Sequence, residues 1–103
     1  MIRCSDNSIY TGITTDILRR FSEHKEGKGA KYTKSHPAVL VEALWITATK
    51  ENALKLEYRI KELKKEEKEA LIKEKVRLGD LIDDLNEYEY SGFTKTQIEN
   101  LIK

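Results

Sequence analysis

The run Val39-Leu-Val-Glu-Ala-Leu-Trp-Ile-Thr47 constrains the fold more than any other segment of the chain. It begins just past Pro37, is rich in β-branched and aromatic residues, and is followed by Thr49, a helix N-cap type. It reads as the strongest strand, with a helix from Lys50 to about Leu63 behind it. A strand needs partners, and the other β-rich segments lie at the N-terminal end. Met1–Cys4 is short and apolar apart from Arg3, and Ile9–Thr14 is β-branched and aromatic. Between them, Ser5-Asp6-Asn7-Ser8 is turn chemistry, because these side chains bond nearby backbone, so the two segments form a hairpin.

The remaining elements read as helices. Asp16 is an N-cap for a helix running to about Glu26, which Gly27-Lys28-Gly29 ends, and a polar loop follows to Pro37. The Lys- and Glu-rich stretch Lys64–Lys75 continues as helix with a weak apolar face of Ala70, Leu71 and Ile72. Leu78, Leu81, Ile82 and Leu85 keep helical spacing. Gly92 breaks that pattern before a last short helix, where Thr94 and Gln97 fit a capping box. The order β-β-α-β-α-α, followed by more helix, specifies an α+β domain with a small antiparallel sheet.

Composition excludes several classes. The 103 residues suffice for one compact core. At 36% charged the chain is very polar, yet its regular apolar spacing is not that of a disordered segment. Cys4 is the one cysteine, which excludes an internal disulfide and a cysteine-built zinc site. With no spanning apolar run and no signal-peptide core, a soluble cytoplasmic protein is expected, without membrane association. The formal net charge of +1 hides an asymmetry. Residues 1–75 carry 16 Lys and Arg against 12 Asp and Glu, whereas residues 76–103 carry 3 against 6. Lys25, Lys28, Lys31 and Lys34 form a basic stretch suited to a polyanion, and the acidic tail is placed to cap or modulate the domain.

Projected at about 100° per residue, the first helix buries Ile17, Leu18 and Phe21, with Arg20 and His24 along the margin of that stripe. Both are able to bind phosphate. A purely structural reading makes Arg20 a surface arginine and His24 a helix-end residue favoured by the dipole. The second helix is more specific. Leu56, Ile60 and Leu63 define its apolar arc, and Glu57 falls inside that arc at about 40° from Ala53, while Glu62 faces away. An unpaired carboxylate there is costly, so Glu57 has a structural ion-pair partner, a metal or catalytic role, or a wet cleft. Tyr10 reads by default as a packed strand residue, and Gly12 as a close backbone approach. Trp45 and Cys4 read as core, and His36 as an exposed turn residue.

Tyr10-Thr11-Gly12, Arg20 ten residues after the tyrosine, and His24 resemble the second motif and first helix of the GIY-YIG nuclease superfamily. The run Ser8–Asp16 with Arg19-Arg20, His24 and Gly27-Lys-Gly-Ala-Lys-Tyr-Thr33 is similar to the small stand-alone bacterial members known as UPF0213 proteins. Ala53, Glu57 and Ile60-Lys61 match their second helix, and the resemblance covers about residues 1–75. It implies a three-stranded antiparallel sheet flanked by helices, and divalent-metal-dependent endonucleolytic hydrolysis of DNA. Tyr10 then corresponds to the second-motif tyrosine, Arg20 to the phosphate-binding arginine, and Glu57 to the carboxylate that holds Mg²⁺ or Mn²⁺. His24 matches a histidine near the site, and Tyr32 lies where another polar residue often enters it. Lys28, Lys31 and Lys34, with Tyr32, would contact DNA. The family's first motif, with its own tyrosine, would lie about ten residues before Tyr10, ahead of Met1. The 1–75 domain as given therefore lacks that motif, and impaired turnover is expected. The alternative is a catalytically impaired nucleic-acid-binding module of the same fold. The 76–103 acidic helical extension lies outside the resemblance and is the place for a protein partner; a monomer is favoured.

Overall fold

A computed structural model of the chain describes residues 1–83 and 89–102. In order, the elements are strands β1 (Ile2–Cys4) and β2 (Ile9–Tyr10), helices α1 (Ile17–Lys25) and α2 (Lys31–Ser35), and strands β3 (Ala38–Val41) and β4 (Trp45–Thr47). Helices α3 (Lys50–Lys61), α4 (Lys65–Ile72) and α5 (Leu78–Leu81) follow, then strand β5 (Tyr90–Gly92) and helix α6 (Lys95–Ile102). The fold is α+β, as the segment pattern implies, around a three-stranded antiparallel sheet of order β2-β1-β3. The short β1 is its centre: Ile2 pairs with Tyr10 on one side and Val41 on the other, and Arg3 with Ile9 and Leu40.

Strand alternation divides the core into two layers. Ile2 and Cys4 pack with Phe21, Ala38, Val41 and Ile98, placing α1 and α6 on one face of the sheet. Met1 and Ile9 lie with Leu56, Ile60, Leu71 and Ile72, which places α3 and α4 on the other. Arg3 points to that second face. Its guanidinium bonds Glu69 through Nη1 (2.8 Å) and Nη2 (2.6 Å), and Glu42 through Nη2 (2.9 Å). The planar fork suits two carboxylates at once and pins α4 to the sheet. Each acid thereby loses its charge repulsion, and Arg3 holds the Glu69 carboxyl below its ordinary range.

The helix ends follow local chemistry. Asp16 Oδ1 accepts from the Arg19 amide (3.1 Å) and Thr49 Oγ1 from the Asn52 amide (3.1 Å), as the N-cap types require. Thr94 and Gln97 complete the expected capping box, each side chain accepting from the other's amide. The helix after α3 does not run on through Lys64. It restarts there, the Lys64 amide donating to Glu67 Oε1 (2.8 Å).

Four expectations need correction. Val39–Thr47 is not one strand. After Val41 the amides of Glu42 and Ala43 both donate to the Met1 carbonyl (2.9 and 3.3 Å), which ends the ladder. The chain then restarts as β4 in a separate two-stranded sheet with β5, Trp45 facing Gly92. Gly92 is thus a strand residue whose missing Cβ leaves room for the Trp45 ring, which it would approach to 3.2 Å. The polar loop before Pro37 holds helix α2, formed because Thr33 folds into the core. Leu18 is 49% exposed, since α1 rests on Phe21 and His24 instead. Leu85 lies outside the described residues.

Candidate functional site

Tyr10 ends the edge strand β2, where β2 passes from the sheet to the segment leading to α1. A Cβ on Gly12 would sit 3.0 Å from Tyr10 Cε1, so Gly12 lets the phenol lie back along its own backbone. On its other side the ring meets the His24 imidazole, with centroids 5.0 Å apart. His24 is not a margin residue: it is only 3% exposed. Its Nδ1 lies 2.7 Å from Thr33 Oγ1, and Thr33 is wholly buried at 0% exposure. The Thr33 hydroxyl donates to the Ala30 carbonyl (3.0 Å), so Nδ1 of the neutral imidazole is the donor to Thr33. Gly29 closes over the ring; a Cβ there would lie 2.3 Å from Nδ1. Gly29 is therefore required by the histidine, not by the end of the helix, whereas Gly27 (φ 74°) does turn the chain out of α1. Burial first, and then the Arg20 charge, push the His24 pKa down, with Glu23 opposing.

Beside Tyr10 opens a cleft of about 260 Å³, lined by Ile9, Tyr10, Thr11, Tyr32, Lys61 and Lys68. Glu57 reaches it through Lys61, whose Nζ lies 3.7 Å from Glu57 Oε1 one turn earlier on α3. The Glu57 side chain is 19% exposed, as its place inside the apolar arc predicts. Both open readings of that carboxylate thus keep support. It has a lysine partner, but the separation exceeds the roughly 2.7–2.9 Å of a charge-assisted hydrogen bond and leaves its lone pairs available. Among the described residues no group of three His, Cys, Asp or Glu converges. A cation here would rest on Glu57 alone. That suits a hard cation of the magnesium type, which takes one carboxylate and fills its remaining positions with water and phosphate oxygens.

The other predicted residues are distributed around this centre. Arg20 lies one turn before His24, half-exposed and outside the cleft lining, with Nη1 3.4 Å from Glu23 Oε1. Tyr32 of α2 reaches the cleft and is anchored: its hydroxyl donates to Asp6 Oδ2 (2.6 Å) and lies 2.5 Å from Ser8 Oγ. The Ser8 and Tyr32 bonds hold the Asp6 carboxyl well below its usual range, and Asp6 in turn raises the Tyr32 pKa. His36 stacks on the Tyr32 ring at 4.6 Å. Lys28, Lys31 and Lys34 are exposed along the loop and α2. The Lys28–Glu26 pair, 3.6 Å apart in solvent, neutralises little of that charge.

Sequence reasoning missed Thr11, Gly29's role, Thr33 and Lys68. Thr33 and Gly29 carry a faint signal, since a small residue and a hydroxyl follow His24 within one loop. Lys68 carries none, being one lysine among many in a Lys- and Glu-rich run.

The GIY-YIG catalytic domain model matches residues 1–70. A UPF0213 protein of Vibrio cholerae is 48% identical over 82 residues, covering 79% of this chain and 81% of that protein. One from Fusobacterium nucleatum is 47% identical over 72 residues, 70% of this chain and 72% of its own. UPF0213 protein YhbQ of Salmonella arizonae is 40% identical over 85 residues, 82% of this chain and 85% of its own. No solved structure gives a significant match. No helix among the described residues is long and apolar enough to cross a membrane. With the matched region holding Tyr10, Arg20, His24 and Glu57, the chain belongs to the GIY-YIG family, alongside the bacterial UPF0213 proteins.

Proposed function

We propose that the chain hydrolyses DNA phosphodiester bonds endonucleolytically with Mg²⁺ or Mn²⁺ held by Glu57. The GIY-YIG domain is a nuclease-type fold. The observation that carries the finer reading is the cleft that sets the Tyr10 phenol beside two lysines, with Glu57 one ion pair away. Phosphodiester hydrolysis needs an attacking water oriented on phosphorus and positive charge on the nonbridging oxygens. When bound, the divalent ion supplies charge neutralisation and lowers the pKa of its water.

The chain's own residues do the rest. Tyr10 presents a phenol, a poor base by itself, so it orients the water and accepts its proton only next to a strong positive charge. Arg20 offers a fork of donors to a phosphate, and its long contact with Glu23 is readily exchanged for one. His24 is a positioning residue: buried, bonded to Thr33 and tilted against the Tyr10 ring, it sets the angle of the phenol. Lys28, Lys31 and Lys34 contact flanking phosphates without reading bases.

The test is incubation of the chain with labelled single-stranded and duplex DNA, with Mg²⁺, with Mn²⁺ and with EDTA, beside Glu57→Ala. Metal-dependent cleavage that disappears in Glu57→Ala, with DNA binding nearly intact, is the expected result. Cleavage unchanged in Glu57→Ala removes the carboxylate from the metal role. Binding without any cleavage by the wild type moves the reading to a nucleic-acid-binding module of the same fold.

A further inference from the structure

Lys61 at the end of α3 and Lys68 in α4 converge on the cleft beside Tyr10. Lys61 faces Glu57 at 3.7 Å, but Lys68 has no carboxylate partner among the described residues. Lys68 is half-buried, and burial together with the Lys61 charge disfavours its charged form. Two ammonium groups thus line one cleft, with one carboxylate beside Lys61. The excess positive charge is a cost to the free protein, which an arriving anion removes. Thr11 lines the same cleft, and its hydroxyl oxygen is buried with no hydrogen-bond partner among the described residues. An ammonium with no carboxylate partner among the described residues, in a cleft whose wall holds a buried hydroxyl with no partner among them, makes an oxyanion site.

We propose that Lys68, with Lys61 and the Thr11 hydroxyl, forms an anion subsite that holds a phosphate of the bound nucleic-acid strand against Tyr10. This rests on the nuclease reading and adds to it a residue of α4, outside the basic stretch at 28–34. A phosphodiester's single negative charge fits the count, since two ammonium groups against one carboxylate leave one positive charge unmatched. Lysine is suited to it as a point charge whose three donors rotate to meet whatever oxygens arrive.

The experiment measures the affinity of a fluorescein-labelled duplex in EDTA across a salt series, so neither metal nor turnover enters. Removing one phosphate contact should lower the slope of log K against log salt by about 0.9, a loss of roughly eightfold at about 0.1 M salt. Lys68→Met should show that loss, Lys68→Arg should keep the wild-type slope, and Lys73→Met at the end of the same helix should behave as wild type. A wild-type slope and affinity in a folded Lys68→Met overturns the proposal. As a check that needs no variant fold, the lysines of the wild-type protein are ¹³C-dimethylated and followed by NMR. The Lys68 resonance should move on adding duplex and return on adding salt; a resonance that stays still overturns the proposal too. If the wild type binds the duplex but Lys68 is indifferent, only the subsite fails. If the wild type binds no nucleic acid, the nuclease reading fails with it.

Discussion

Gly29→Ala should destabilise the protein through one contact, that with His24. The new Cβ would lie 2.3 Å from Nδ1, 2.7 Å from Cε1 and 2.9 Å from Cγ of the imidazole. Those distances are too short for a methyl carbon against any atom not bonded to it, so the ring has to move. It has nowhere easy to go, with the Tyr10 ring tilted against it and Thr33 on Nδ1. Forcing one extra methyl into a packed interior costs about 1–3 kcal/mol. Losing the Nδ1–Thr33 hydrogen bond adds about 1 kcal/mol. Against this, alanine restricts the unfolded chain and returns about 0.5 kcal/mol. The net loss is about 1.5–3.5 kcal/mol, or roughly 6–28 °C in Tm for a domain of this size. Thermal and urea unfolding of the wild type, Gly29→Ala, His24→Ala and the double variant measure it. With the ring gone the alanine methyl has room, so Gly29→Ala should cost close to nothing in the His24→Ala background. Additive losses in the double variant, or a Gly29→Ala protein as stable as the wild type, would refute the reasoning.

Arg3→Met keeps the stem but strips the charge that Glu42 and Glu69 share. With the Arg3 side chain 14% exposed and the acids at 18% and 24%, urea unfolding should show a loss of about 3–5 kcal/mol. Pairing it with Glu42→Gln and Glu69→Gln should recover part of that loss. Stability should also fall on acidification through about pH 6.5. His24 has its pKa pushed down in the folded protein, so the unfolded chain binds the proton first. The loss begins near the unfolded pKa, runs at up to about 1.4 kcal/mol per pH unit, and stops once pH falls below the depressed folded pKa. His24→Gln should lessen the pH dependence in that window, while the drop from Asp6 and Glu69, whose pKa values are also lowered, remains at lower pH. An unchanged profile in His24→Gln would show that the histidine is not the group responsible.

Periodicity, capping chemistry and turn residues determine much of this protein from the sequence alone. Asp16 and Thr49 mark their helices because a short oxygen-bearing side chain at that position satisfies an otherwise orphaned amide wherever the helix later packs. The place of Glu57 inside the apolar arc of α3 is likewise legible, since 3.6-residue geometry is local. Tyr10, Arg20 and Glu57 were identifiable as a set because their spacing matches a family pattern, although spacing says nothing of the distances between them. What tertiary structure decided are the interactions between segments far apart in the chain. The strong run at 39–47 breaks because its amides meet the Met1 carbonyl, and no propensity within the run encodes that meeting. Helix α2 exists because Thr33 finds His24, and His24 is buried because Gly29 lets the loop close over it. Arg3 binds Glu69 from 66 residues away. Lys68 enters the cleft only because α4 folds back beside β2, so one lysine among many acquires a position that its neighbours in sequence do not share.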